Sequence, residues 1–475
     1  MSALQVEGGG RAPAVGDAVR HPRYGAGRLV EVYRGGTEWL VRFETGLRFR
    51  RPSDEFGPEA RAGLPRPALA RYEPPPPMPR SRFEARGLIE ALRVGVAPER
   101  HLRELTIGLA DERASLAAAL NRAHRQGGDV RAVIGEYGFG KSHFLQLAAE
   151  EALARDFLVA STSLDLLELP AHRPFDLYAA LTRSLRYPND PERGLGPLLD
   201  AAAAAPSVVA DLHARAPVAG DPLVVALEAL ASGPPRRLRA EWHAWLMGGR
   251  KVPALRKALP RGSRVPSIYT SGHNARQIAY LLSGLSAVAR LANYSGLVVL
   301  VDEAESYALL RARDRLKAGT FFSALVAAAL GPGQDRVDEA SLAEHRYGAY
   351  PVGYGAGQSL FFLFTLTHTD ERMPLESWLA PSQIVILDPH HTVKEIGRFL
   401  GQVQGYHAQA YGYEPDERHG QVRRAATEHL AAGMRADRLS IRGVVRLSVE
   451  LFDLLFLYPD YDAATLLDEL QRQVR

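Results

Sequence analysis

The chain has 475 residues, of which 46% are hydrophobic and 24% charged, and carries a formal net charge of +4. That length allows two to four domains around a large buried core. Cysteine is absent, which excludes disulfides, cysteine-type zinc sites and thiol nucleophiles. Apolar runs are strand-sized at most, as in Leu360–Leu366, and the first residues lack the basic-then-apolar pattern of a signal peptide. The expectation is a soluble cytoplasmic protein with no membrane partner. Five lysines stand against 53 arginines, a ratio that reads as coding bias. Charge is uneven: residues 1–82 carry 14 arginines and nine acids, an excess of +5, while the remainder nets −1. A basic N-terminal portion suggests an acidic partner such as nucleic acid, or simply a solvated basic surface.

Residues 1–13 read as a disordered lead. Short alternating runs then follow at Gly27–Tyr33, Glu38–Phe43 and Gly46–Arg50, broken by Gly25, Gly35, Gly36 and Gly46. Runs of that length joined by glycine turns predict a small antiparallel barrel over residues 14–57. The stretch Val15-Gly-Asp-Ala-Val-Arg-His-Pro-Arg-Tyr-Gly-Ala-Gly27 resembles the Tudor/SH3-like modules of CarD-type transcription factors and UvrD-like helicases. That resemblance implies RNA polymerase or another protein as partner; an ancillary barrel packed on its own chain is the alternative. Residues 58–82, with the proline-rich stretch Pro65–Pro79, predict a polyproline-type linker.

From Phe83 the texture becomes helical, at Ala85–Val94 and Ala110–Ala123. Strand-like segments recur at Val130–Ile134, Phe157–Leu164, Leu297–Val301, Ser359–Leu366 and Gln383–Leu387, separated by helical stretches. Strands alternating with helices predict an α/β fold with a parallel sheet over residues 83–390. Between about 190 and 275 the pattern shows no convincing strand and predicts a helical insertion, with Trp242 and Trp245 packing on one helical face. Residues 391–475 read as an all-helical domain, with helices at Thr392–Gly412, Asp416–Ala432 and Ile441–Leu457.

Two motifs carry chemistry. Gly135-Glu136-Tyr137-Gly138-Phe139-Gly140-Lys141-Ser142 is a phosphate-binding loop, set between the strand ending at Ile134 and a helix that His143 continues. Its glycines let successive N–H groups face a phosphate, Lys141 reaches the β- and γ-phosphates of ATP, and Ser142 offers a hydroxyl to Mg²⁺. The second motif is the apolar run Leu297–Val301 ending in Asp302-Glu303. Asp302 would hold the Mg²⁺ shell, and Glu303 would polarise the attacking water as general base. The alternative for these acids is a favoured place at a helix N-terminus. Glu305 either supports Glu303 or caps the next helix. The 15 histidines show no ligand spacing, so a metal-dependent nuclease is poorly supported.

The order Gly87–Gly95, Leu105-Thr106-Ile107-Gly108, the phosphate loop and Gly296–Glu305 resembles the ATP-binding P-loop proteins of bacterial BREX phage-defence systems (BrxD-like). These are related to the ORC and STAND ATPases of the AAA+ type. The resemblance implies an additional-strand P-loop sheet with a helical C-terminal lid. It also implies a polar reader of the γ-phosphate at the end of the fourth strand-like segment, Thr367 first and His368 second. A lid arginine, Arg442 with Arg446 as competitor, would reach the nucleotide. Backbone contacts from Thr106, Ile107 and Gly108 would lie on the adenine side. Such ATPases complete their site from a neighbouring subunit, which implies a homo-oligomer with Arg372 as the trans-acting arginine. Partners implied are DNA, a helicase or other defence-system subunits. A different class of function, a nucleotide-gated switch recruiting transcription machinery through the barrel, is the alternative.

Overall fold

The computed structural model describes residues 14–56, 78–96, 101–249, 252–258, 275–331, 333–342, 350–367, 373–387, 391–436, 438–459 and 465–466. Residues 1–13, most of the expected linker, His368 and Arg372 therefore lie outside the described residues. The chain divides into two compact units, 1–77 and 78–475.

The first unit is a four-stranded antiparallel meander of β1 (Ala18–His21), β2 (Gly25–Tyr33), β3 (Glu38–Phe43) and β4 (Arg48–Pro52). Alternation sends Val19, Leu29, Val41 and Phe43 to one face, where they bury with Phe56. Tyr24, Trp39 and Phe49 pack against that cluster. The sheet is compatible with a small all-β module. Strand β1 was not among the expected runs; at four residues it is too short for alternation to announce it.

In the second unit, α1 (Arg80–Arg93) and α2 (Ala110–Gln126) precede β5 (Gly128–Ile134), α3 (Lys141–Leu153), β6 (Phe157–Ser163) and α4 (Pro174–Ser184). A hairpin of β7 (Arg186–Tyr187) and β8 (Asp190–Arg193) follows. Helices α5 (Gly196–Ala204), α6 (Pro206–Arg215), α7 (Pro222–Ala231), α8 (Arg236–Leu246) and α9 (Pro253–Ala258) then form the helical insertion. The hairpin corrects the expectation of no strand from about residue 190: β8 is fully exposed and charged, so it carries no apolar signal. Trp242 and Trp245 are buried together, as the helical spacing predicts. The chain returns through α10 (Ala275–Leu291), β9 (Gly296–Asp302), α11 (Ala312–Leu330), β10 (Leu360–Leu366), the short α12 (Leu375–Trp378) and β11 (Ile384–Ile386). Helices α13 (Val393–Tyr411), α14 (Glu417–Arg435) and α15 (Ile441–Leu457) complete it.

Strand order is β11-β5-β10-β9-β6-β7-β8. The first five strands are parallel, and β10 is the additional strand inserted between β5 and β9. Strand periodicity assigns each side chain a face. Leu297, Val299, Val301, Phe362 and Phe364 face α10 and α11. Val298, Leu300, Phe361 and Leu363 face α2 and α3. Continuing the alternation past the last apolar residue puts Asp302, Thr365 and Thr367 on the α2/α3 face, the face that the phosphate loop caps. A separate cluster joins α1 to α13, α14 and α15 through Ile89, Leu92, Phe399, Leu400, Val444 and Phe452. Arg93 reinforces it by pairing with Asp453, which also accepts from the buried His407.

The sheet tolerates little added volume where it begins. A Cβ on Gly128 would lie 1.9 Å from the Ala329 carbonyl oxygen at the end of α11. Backbone cannot yield as a side chain can, so Gly128→Ala is expected to destabilise this unit by about 2–3 kcal/mol or more. The shift in urea midpoint followed by tryptophan fluorescence measures it.

Candidate functional site

The phosphate loop spans the gap between β5 and α3. Gly138 and Gly140 have φ of +85° and +87°, a left-handed conformation that other residues rarely adopt. Lys141 opens α3 and is buried. Its Nζ donates to the Gly135 carbonyl at 2.8 Å, the Glu136 carbonyl at 3.3 Å and Thr367 Oγ1 at 2.7 Å. Thr367 passes the polarity on, donating its own proton to Glu305 Oε1 at 2.6 Å. Glu305 Oε1 also lies 4.0 Å from Lys141 Nζ. These four acceptors hold the ammonium where a phosphate would compete for it, at the N-terminus of a helix.

The register of the sheet assembles the acidic half. Phe364 pairs with Val301 across β10 and β9, so Thr365 falls beside Asp302. Thr365 Oγ1 donates to Asp302 Oδ1 at 2.5 Å and accepts the Glu303 N–H at 3.2 Å. The same N–H reaches Asp302 Oδ1 at 3.0 Å. Glu303 has φ of +57°, a strained conformation for this residue that the two contacts maintain. Its pKa is raised, first by burial and then by the neighbouring carboxylates Asp302 and Glu305. A carboxyl poised above its ordinary range at the mouth of a phosphate loop suits a general base.

A cavity of about 290 Å³ runs from the loop to an apolar end. Lys141, Ser142, Asp302, Glu303 and Glu305 line the polar end, with Ser142 exposed at the head of α3. Leu92 from α1, Leu105, Ile107, Phe399 from α13 and Val445 from α15 line the other, and Ile441 of α15 lies against Gly140 of the loop. The site is therefore shaped for a ligand with a polyanionic head and a flat, weakly polar tail. Across Glu305 and Thr367 lies a second cavity of about 540 Å³, walled by Tyr307, Leu375 and Ile384.

Most of the residues singled out from sequence fall in or beside this cavity, in different ways. Tyr137 is exposed, and Arg442 stacks over its ring at 4.8 Å while donating a hydrogen bond to its hydroxyl. The Arg442 backbone N–H also donates to the Gly138 carbonyl at 3.4 Å, and the side-chain stems of both Arg442 and Arg446 lie beside Gly95. Phe139 lines the cavity; Gly135 and Glu136 contribute carbonyls to Lys141. His143 lines it as well, but its Nε2 meets Thr106 Oγ1 at 2.9 Å, and burial lowers its pKa to about 4. Thr106 donates onward to the Leu102 carbonyl, so His143 must carry its proton on Nε2. Thr106 is thus a brace for α3, and Ile107 is the member of Thr106–Gly108 that faces the cavity. Gly108, with φ of +66°, packs against His391.

Sequence reasoning missed Thr365 and the partners of Glu305. The signal was present: Thr365 and Thr367 alternate at the end of an otherwise apolar strand, and so share one face. The apolar end offered no such signal, because it is built from helices more than 300 residues apart.

Comparisons with known proteins bear on this geometry. Residues 81–205 match the family of BREX system ATP-binding proteins BrxC/D. The match runs from α1 into the insertion and takes in the phosphate loop. No curated protein matches the chain. Among solved structures, similarity extends to a RuvB point mutant of Thermotoga maritima, at 13% identity and a TM-score of 0.32, over 77% of this chain and 69% of that one. It also extends to a Walker-type ATPase of Pyrococcus abyssi, again at 13% identity and a TM-score of 0.32, over 77% and 71%.

A charge in the apolar end should separate its contribution from that of the loop. Ile107→Asp is expected to weaken binding of a purine nucleoside triphosphate by about tenfold or more, since the carboxylate would be desolvated in a buried apolar position. Binding of inorganic triphosphate should change little; titration calorimetry reads both.

Proposed function

We propose that the chain is a Mg-ATP-binding ATPase that hydrolyses its nucleotide within a bacterial phage-defence or DNA-processing complex. The observation that carries this reading is the convergence of Lys141, Asp302 and Glu303 at one end of a cavity whose other end is apolar, with Thr367 hydrogen-bonded to Lys141 from beside it. The family matched over residues 81–205, BREX system ATP-binding proteins, supports ATP as the ligand. The residues also fit a nucleotide-borne Mg²⁺. Among the described residues there is no group of three or more His, Asp or Glu able to hold a metal alone. Ser142 and Asp302 would instead supply one hydroxyl and one carboxylate, with phosphate oxygens and water as the ion's other ligands. Bound there, the ion would neutralise charge on the phosphates.

The chain's own residues divide the remaining work. Lys141 exchanges its carbonyl and Thr367 partners for phosphate oxygens. Thr367, beside the loop, then reads the terminal phosphate with its hydroxyl, and Glu303 takes a proton from the attacking water. Arg442 would turn from Tyr137 to the nucleotide, closing α15 over the site. Arg372 from a neighbouring copy would complete a homo-oligomeric site. Partners in this reading are DNA and other defence-system subunits such as a helicase. RNA polymerase recruited through the N-terminal module would mark the chain as a switch instead.

Lys141→Ala is expected to weaken ATP binding by roughly a hundredfold or more, because a buried charge contact is lost. Glu303→Gln should bind ATP normally and hydrolyse it at least about a hundredfold more slowly. Full hydrolysis by that variant would overturn the assigned role. The wild-type rate should fall as pH drops through the raised pKa of Glu303, because only the deprotonated carboxylate accepts a proton. That fall should begin at a higher pH than a free glutamate would give, with ATP binding unchanged across it; steady-state rates and calorimetry over the same pH series test this.

A further inference from the structure

The N-terminal sheet presents two unlike faces. One is the aromatic cluster already described. On the other, the antiparallel register lines up Ala18, Arg28, Arg42 and Arg48 as direct neighbours across all four strands. Arg20, two residues from Ala18, lies on the same face opposite Ala26. All four arginines are exposed. Like charges placed directly opposite one another on a sheet are destabilising, so this row weakens the unit unless something answers its charge.

The two ends of that face differ. At one end Glu38 pairs with both Arg34 and Arg50, and Arg50 lies 4.2 Å above the Tyr33 ring, so charge is compensated within the module. At the other end Arg20, Arg42 and Arg48 have no ion pair among the described residues, and Arg28 makes one hydrogen bond, to the Gly16 carbonyl at 3.2 Å. The acids that flank these strands in sequence are Glu44, whose N–H meets the Ala26 carbonyl, and Asp17, whose carboxylate accepts the Ala14 N–H. Neither forms an ion pair with the row among the described residues.

We propose that this arginine row seats the phosphate backbone of duplex DNA, independently of sequence. With strands about 4.8 Å apart, Arg28, Arg42 and Arg48 span about 10 Å. Duplex DNA presents roughly six phosphate charges along that length of its axis. The face's small residues, Ala18 and Ala26, let a broad backbone approach. A protein partner would call for apolar or aromatic anchors among the charges, and single strands for stacking platforms; Tyr24, Trp39, Phe43 and Phe49 are instead committed to the opposite, packed face, and Tyr33 lies at the compensated end under Arg50. The inference rests on this sheet alone and stands whether or not the second unit hydrolyses ATP.

The test is fluorescence anisotropy of a short labelled duplex of arbitrary sequence, titrated with the full chain at several salt concentrations. Wild type should bind with an affinity that falls linearly on logarithmic axes. The triple variant Arg28→Gln, Arg42→Gln, Arg48→Gln should bind about tenfold more weakly or worse, with a slope shallower by about two to three. Lysine at the same three positions should restore both, since the attraction is one of charge, and unchanged circular dichroism and ATP binding exclude misfolding. Arg50→Gln, at the compensated end, should leave the affinity within about twofold. Wild-type affinity and slope in the triple glutamine variant would overturn the proposal. So would displacement of the duplex by poly-glutamate at equal charge concentration, which would mark the face as a site for an acidic protein.

Discussion

The second unit depends on how one buried ammonium is satisfied. Lys141 sits where helix α3 begins, and its three donors go to two loop carbonyls and Thr367, with Glu305 one step behind. A buried lysine without acceptors would lose its charge or unfold its surroundings. These acceptors come from three parts of the fold: the two carbonyls from the loop after β5, Thr367 from the end of β10, and Glu305 from the turn after β9. The charge is therefore stable only if three strands end at the same level. The same arrangement makes Lys141 exchangeable, since all its partners are hydrogen-bond acceptors that a phosphate can replace.

Strand alternation places those ends. Apolar residues commit β9 and β10 to a fixed orientation, and the polar residues that follow inherit a face from them. Asp302, Thr365 and Thr367 thus reach the phosphate loop because Val298, Leu300, Phe361 and Leu363 pack on α2 and α3. Glu303 is the exception that the geometry has to hold by force: its left-handed backbone is kept by the Thr365 and Asp302 contacts. The opposite wall follows a different rule. Helix α1 precedes the sheet in sequence but packs with α13 and α15, so the apolar end of the cavity closes only when residues near 90 meet residues near 440.

This contrast decides what the amino-acid sequence could reveal. The phosphate loop and the Asp302-Glu303 pair are local, and β3 and α15 coincide with the expected runs because their alternation and helical spacing are strong. Partnerships between distant segments were beyond local pattern: Glu305 with Thr367, Tyr137 with Arg442, and the braced pair Thr106–His143. Short or wholly exposed elements were missed for another reason. Strands β1, β7 and β8 have too few buried residues to leave a periodic trace. The arginine row is also a matter of register, invisible until β2, β3 and β4 are aligned.

The central claim is that Lys141 trades protein acceptors for nucleotide phosphate. The chain has just five lysines, at positions 141, 251, 257, 317 and 394, so selective ¹⁵Nζ labelling gives a spectrum simple enough to assign with Lys141→Ala. The account predicts that the Lys141 ammonium signal shifts on addition of MgATP and returns when nucleotide is removed. ATP binding that leaves the Lys141 signal unmoved would contradict it.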